Sequence, residues 1–203
     1  MSQRTLLGGG EPRVDLAAGF VRVALDDGSW VDLARGWLLG ADTLFDVLVE
    51  RAEWRQGRRP MFDRLVDDPR LSCGFRRDDP LPHPALDTIG RALDARYGVS
   101  LRGPALNYYR DGRDSVAPHR DRELRQLDDT LIAIVTLGAT RPFLVRPLGG
   151  GASRDLSPGA GDLLVMGGAT QRGWEHGVPK VARAGPRISV TWRWSRSQAQ
   201  VPL

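Results

Sequence analysis

A chain of 203 residues is long enough for one domain with a sizeable core, and 41% hydrophobic with 27% charged residues excludes wholesale disorder. The formal charge of +4 at pH 7 makes the surface mildly attractive to polyanions, yet only Lys180 among the 29 basic residues is a lysine, and such a skew toward arginine is as readily a coding bias as a phosphate-binding signal. The one cysteine, Cys73, excludes an internal disulfide, the N-terminal segment lacks the apolar run of a secretory signal, and the longest strongly apolar stretch, LIAIVTLG from Leu131, is too short for a bilayer, so a reducing cytoplasm and no membrane are expected.

In chain order, residues 1 to about 36 carry the alternating pieces FVRVAL and SWVDL around a DDG turn, the pattern of one or two strands. ADTLFDVLVERAEW then places Leu44, Val47 and Leu48 at helical spacing, with Asp42 as the candidate N-cap. Arg55 to Pro84 is rich in Arg, Asp and Pro, and its DDPRL and DDPLPHP pieces predict loops and short strands. A second helix follows in HPALDTIGRALDARYG, where Leu86, Ile89, Leu93 and Tyr97 recur at helical spacing and Gly98 provides the stop. Beyond it the pattern turns to strands: ALNYY, TLIAIVTLG, RPFLVRPL, GDLLVMGG and PRISVTWRW, with Gly and Pro between them and GGG at 149–151 as a loop. Many short strands without intervening helices predict a sandwich or barrel.

The chemistry concentrates in this second half. In NYYRDGRDSVAPHRDRE, residues 107–123, a strand ending at PHRD would turn His119 and Asp121 to the same face. Alone, an H-x-D triplet in a charged loop is ordinary surface. WEHGVPK adds His176, and two histidines with one carboxylate, leaving open positions, form the facial triad of non-haem iron(II) oxygenases. A closed zinc site would need a fourth ligand, for which only Cys73 or His83 remain. In RISVTWR, Arg187, Ser189, Thr191 and Arg193 share one face while Ile188, Val190, Trp192 and Trp194 share the other. Two guanidinium groups on one face suit a dicarboxylate, and on a solvated sheet they would be an ordinary amphipathic strand.

Taken together, NYYRDGRDSVAPHRDRE, RPFLVRP, GDLLVMGG, WEHGVPK and PRISVTWR resemble the AlkB family of Fe(II)- and 2-oxoglutarate-dependent dioxygenases, over about residues 104–195. The resemblance implies an α+β, mainly β fold: a double-stranded β-helix (jelly roll) core at 104–203, with an N-terminal extension of strands and two helices at 1–103 for substrate recognition, packed as one compact unit. It implies that His119, Asp121 and His176 ligate Fe(II), that Arg187 binds the distal carboxylate of 2-oxoglutarate, and that Arg193 lies near the metal-chelating end. Asn107 and Tyr109 match positions that hydrogen-bond the cosubstrate; Thr191 also fits the pattern, whereas Ser189 stands where asparagine is common.

For substrate, the resemblance implies Glu123 near the base and Arg141 at a position shared with some repair members. Phe75 is the one aromatic in the segment DDPRLSCGFRRDDPLP that matches the substrate loop, with Trp54 and Phe62 as alternatives better suited to a core. Arg58, Arg59, Arg76 and Arg77 flank that loop and suit either phosphate or solvated ion pairs. The implied reaction uses O2 and 2-oxoglutarate to demethylate N-alkylated bases such as 1-methyladenine and 3-methylcytosine, releasing formaldehyde and succinate. The expected partner of a monomeric enzyme is alkylated DNA, or RNA. Alternatives are an AlkB-like dioxygenase of RNA, protein or a small molecule, and a non-catalytic nucleic-acid-binding module.

Overall fold

The structure, a computed structural model, describes residues 9–61, 63–75 and 79–196; Phe62, Arg76 and Arg77 lie outside the described residues. The N-terminal segment forms β1 (Arg13–Val14), the hairpin of β2 (Val21–Ala24) and β3 (Ser29–Ala34), and β4 (Leu38–Leu39), which pairs with β1. Helix α1 (Ala41–Arg51) buries Ala41, Leu44 and Leu48; Leu44 and Leu48 lie on the face read from the sequence, whereas Val47 stays partly exposed and outside the core. Its N-cap is Gly40 and not Asp42. Gly40 takes φ 70°, and a Cβ there would lie 2.6 Å from the Gly10 carbonyl oxygen, so the chain enters the helix through a position only glycine fits. Asp42 sits in the first turn instead, where its charge faces the positive end of the helix.

The Arg, Asp and Pro-rich segment departs most from expectation. It is a long hairpin, β5 (Arg55–Met61) and β6 (Arg64–Gly74), in place of loops and short strands. Pro69 is tolerated because the register shifts between Gln56 and Arg58, so its missing N–H falls at a bulge. Helix α2 (Ala85–Tyr97) buries Ala85, Leu86, Ile89 and Leu93 and stops at Gly98, whose φ is 67°.

The remaining strands are β7 (Arg102–Tyr109), β8 (Val116–His119), β9 (Thr130–Gly138), β10 (Leu144–Pro147), β11 (Arg154–Asp155), β12 (Leu163–Gly168), β13 (Trp174–Val178) and β14 (Arg187–Ser195). A one-turn helix that the sequence pattern did not predict, α3 (Thr170–Gly173), sits between β12 and β13. The eight-stranded sheet runs β2-β3-β12-β9-β14-β7-β6-β5, and a four-stranded sheet runs β11-β10-β13-β8. Strands from both halves of the chain therefore share the larger sheet. No helix among the described residues is long and apolar enough to cross a membrane.

β9 shows why its sequence is continuously apolar: it is buried on both faces. Leu131, Ala133, Val135 and Leu137 join the core beneath α1 and α2, whereas Ile132 and Ile134 join a second core with Phe143, Val145, Leu164 and Met166. Each fully buried aliphatic side chain of this kind contributes ~1.5–3 kcal/mol. β14 obeys the same alternation. Ile188, Val190 and Trp192 enter the helix-side core, which leaves Ser189, Thr191 and Arg193 to line a cavity on the opposite face.

Candidate active site

His119 ends β8 and pairs directly with His176 on β13, so one antiparallel rung brings the two imidazoles to a centroid separation of 4.3 Å. Asp121 follows just beyond the strand, and the candidate ligand atoms of all three residues lie within 4.8 Å of one another. Asp121 Oδ1 is 3.5 Å from His119 Nε2 and 4.0 Å from His176 Nε2. The Nδ1 of His119 lies 3.0 Å from the Ala117 carbonyl oxygen, and donation to that acceptor fixes the ring so that Nε2 faces Asp121. Phe143 stacks on His176 at 5.8 Å.

The protonation states suit a metal. Burial alone would raise the Asp121 carboxyl, but the hydrogen bond from His119 and the charge of Arg193, whose Nε donates to Oδ2 at 2.6 Å, hold it well below the ordinary 3.8. Burial pushes the His176 imidazole down to about 3, and repulsion from His119 adds to the effect. A carboxylate and a neutral imidazole are the forms that bind divalent ions. His83 is committed elsewhere, its Nδ1 accepting the Ala85 N–H at 3.1 Å, and among the described residues neither His83 nor Cys73 joins the cluster. The donor set is that of an open site, which fits iron(II) and not a closed zinc centre.

The triad stands at one side of a cavity of 620 Å³ whose walls include Asn107, Tyr109, Ser189, Thr191 and Arg193. Arg187 packs behind this wall, its guanidinium 5.5 Å from the Tyr109 ring centroid. It is fully buried, and Nη2 donates to Thr136 Oγ1 at 3.2 Å, while Nε and Nη1 have no hydrogen-bond partner among the described residues. Burial lowers its pKa to about 10. A buried cation with donors unspent is a strong physical fit for a ligand carboxylate. Asn107 Oδ1 accepts from Arg70 Nε at 3.0 Å, which orients the amide and makes Nδ2 its donor side.

At the cavity mouth Glu123 is exposed and lines both the main cavity and an adjoining one of 330 Å³, which Phe75 also lines. Phe75 is half-buried against the helix-side core and does not reach the main cavity wall. Trp54 is a core residue: its ring meets Tyr108 at 5.1 Å and its Nε1 donates to the Leu48 carbonyl. Arg58 pairs with Asp67 and Arg59 with Asp68 across the hairpin, the ion-pair reading of those charges.

Arg141 requires a correction. The residue is 1% exposed and lies off the cavity wall, and its guanidinium donates to the carbonyl oxygens of Asp111 at 2.9 Å, Asp114 at 3.0 Å and Pro179 at 2.7 Å. It braces two loops through Nη1 and Nη2, its Nε has no partner among the described residues, and its burial behind the cavity wall keeps it from a base. Conversely, Arg70 and Gln171 were not singled out from sequence. Gln171 Oε1 accepts the Asp121 backbone N–H at 2.8 Å from fifty positions away, a contact with no local pattern to announce it.

A jelly roll with two histidines and a carboxylate at one side of a cavity, and a buried arginine with unspent donors behind the cavity wall, is an arrangement that suits a facial-triad oxygenase. The model described as the 2OG-Fe(II) oxygenase superfamily matches residues 76–193, and the chain belongs to that superfamily. Within it, the chain is 32% identical over 196 residues to the "Alpha-ketoglutarate-dependent dioxygenase alkB homolog 3" of Bos taurus, covering 86% of this chain and 66% of that protein. It is also 32% identical over 180 residues to the "DNA oxidative demethylase ALKBH2" of Homo sapiens, covering 75% and 68% respectively. The chain thus spans 66% of the bovine and 61% of the human alkB homolog 3. Solved structures share the fold: a Trichoplax adhaerens prolyl hydroxylase at TM-score 0.62 and 12% identity, over 83% of this chain and 84% of that one, and OsALKBH1 at 0.55 and 17%, over 85% and 99%.

Proposed function

We propose that this chain is an iron(II)- and 2-oxoglutarate-dependent dioxygenase that demethylates N-alkylated bases in DNA, with RNA as the alternative polymer. The observation that carries the reading is the conjunction of an ionised carboxylate between two imidazoles with a buried arginine whose Nε and Nη1 lack partners among the described residues. His119, Asp121 and His176 would hold the iron. Arg187, Asn107, Tyr109, Thr191 and Arg193 would hold 2-oxoglutarate. When bound, iron, 2-oxoglutarate and dioxygen supply the oxidising power that hydroxylates an N-methyl group, with succinate, carbon dioxide and formaldehyde as products.

The protein's own residues orient and protect. Arg187 meets a carboxylate where burial makes a charge-assisted hydrogen bond strong. Arg193 occupies Asp121 Oδ2, which reserves Oδ1 for the side facing both imidazoles. Ile132, Ile134, Phe143 and Val178 give the cavity an apolar wall that excludes water. Methylation at N1 of adenine or N3 of cytosine makes the base cationic, and the exposed carboxylate of Glu123 at the mouth favours such a base over its neutral parent. A base within a duplex must be flipped to reach this depth, and Phe75 beside Glu123 offers a ring to receive it.

The division of labour follows, with residues 1–103 recognising substrate and 104–203 holding iron and cosubstrate. The reading extends to a monomer in a reducing cytoplasm, supported by the lone, buried thiol of Cys73. The relative named a DNA oxidative demethylase supports the substrate class. The test is incubation of the iron-loaded protein with 2-oxoglutarate, oxygen and oligonucleotides carrying 1-methyladenine or 3-methylcytosine in DNA and RNA. Formaldehyde and demethylated base are expected by mass spectrometry. Succinate without demethylation would transfer the same centre to another substrate, and the absence of both succinate and demethylated base would overturn the enzymatic reading.

A further inference from the structure

The ladder that joins β8 to β13 fixes His119 against His176, but it stops before Asp121. The third ligand residue therefore needs another restraint. α3, which runs directly into β13 and so into His176, supplies it. Gln171 on this helix is 1% exposed, and its Oε1 accepts the backbone N–H of Asp121 at 2.8 Å. Only the amide oxygen can accept from a backbone N–H, so the orientation of the side chain is set by its partner. Its Nε2 is buried and has no hydrogen-bond partner among the described residues, so an amide is kept here at a desolvation cost that an apolar side chain would avoid.

The neighbouring residue adds outer ties. The Arg172 carbonyl oxygen accepts from Arg120 Nη1 at 3.1 Å, and the Arg172 guanidinium pairs with Asp128 at 2.5 Å. That pair is exposed on both sides and so holds weakly. The bond from Gln171 comes from a buried side chain, and it ends on the triad residue itself.

We propose that Gln171 is a positioning residue of the metal centre, holding the Asp121 backbone so that its carboxylate meets the two imidazoles before any ion arrives. The inference rests on the reading that the triad binds a divalent ion. Groups that orient metal ligands are worth ~10-fold or more in metal affinity. Mn(II) titration followed by electron paramagnetic resonance, on the full chain, reads that affinity without turnover.

Gln171→Leu, which keeps the bulk and removes the acceptor, is expected to weaken Mn(II) binding ~10-fold, whereas Gln171→Glu, which keeps an oxygen at the same reach, stays within about threefold of wild type. Gln171→Met replaces the leucine variant if the latter does not fold. Asp128→Ala removes only the exposed tie and is expected to leave Mn(II) binding unchanged. Equal affinity in wild type and the apolar variant, or equal losses in the apolar and Glu variants, would overturn the positioning role while leaving the triad intact. A wild-type protein that binds no Mn(II) would overturn the metal centre and this inference with it.

Discussion

Replacing Arg187 by methionine should make the ligand-free protein more stable, against the usual direction for a buried residue. The wild-type guanidinium is fully buried, and burial with the nearby charge of Arg141 brings its pKa from 12.5 to about 10. That displacement corresponds to a penalty of ~3 kcal/mol for holding the charge at neutral pH. Loss of the 3.2 Å bond to Thr136 returns ~1 kcal/mol of it. The net gain is ~2 kcal/mol, which raises the melting temperature by ~6 °C in a chain of this size. Cosubstrate reverses the order. With Mn(II) and 2-oxoglutarate at about one hundred times its dissociation constant, the wild type gains ~2.7 kcal/mol and the variant almost none. Differential scanning fluorimetry in four conditions, each protein with and without 2-oxoglutarate, reads both halves of the effect. A variant that melts well below the wild type without cosubstrate would mean that the charge is already compensated. A variant that 2-oxoglutarate stabilises as strongly as the wild type would remove Arg187 from the binding site.

His119→Ala should abolish substrate-coupled turnover while shifting unfolding by no more than ~1 kcal/mol, since the side chain is partly exposed and loses one bond to Ala117; retained demethylation would exclude it as a ligand. Arg141→Met should cost ~3 kcal/mol in chemical denaturation by stranding the carbonyls of Asp111, Asp114 and Pro179, with little change in KM for a methylated base. A raised KM with unchanged stability would return Arg141 to the substrate. Asp114→Asn should destabilise by ~2 kcal/mol at pH 7, because the buried carboxylate accepts from Arg110 Nε, Nη2 and backbone N–H. Arg110 outweighs burial and lowers the Asp114 pKa, so its stabilisation is present above 3.8 and is lost as pH falls through the folded value. The gap between wild type and variant should therefore close in acid, and a gap independent of pH would refute the ion pair as its source.

The clustering of His119, Asp121 and His176 was legible because its elements are short-range. An H-x-D at a strand end and a period-2 arginine face on β14 each declare their geometry within a few residues. Helices α1 and α2 were legible for the same reason, through their buried faces. What escaped depended on partners far along the chain. The β5–β6 hairpin was hidden by Pro69 and its flanking charges, since the bulge that accommodates the proline is visible only in the register. Arg141 matches a position shared with some repair members, and only the convergence of the Asp111, Asp114 and Pro179 carbonyls shows that Nη1 and Nη2 are engaged in bracing. The Gly40 cap was obscured because Asp42 is a better cap by residue type, while the close approach of Gly10 decides the matter.

Among the described residues β14 comes after the other strands, yet it occupies the middle of the eight-stranded sheet, hydrogen-bonded to β9 on one side and β7 on the other. During synthesis the ribosome delivers both flanks of the sheet before the strand that joins them. β7 and β9 must wait with their edges open, and such edges invite mispairing. Pairing of this long range makes folding slow relative to helical proteins of the same length. Arg187 and Arg193 ride on that closing strand, so completion of the fold and completion of the proposed cosubstrate site are one event. A chain released early has neither.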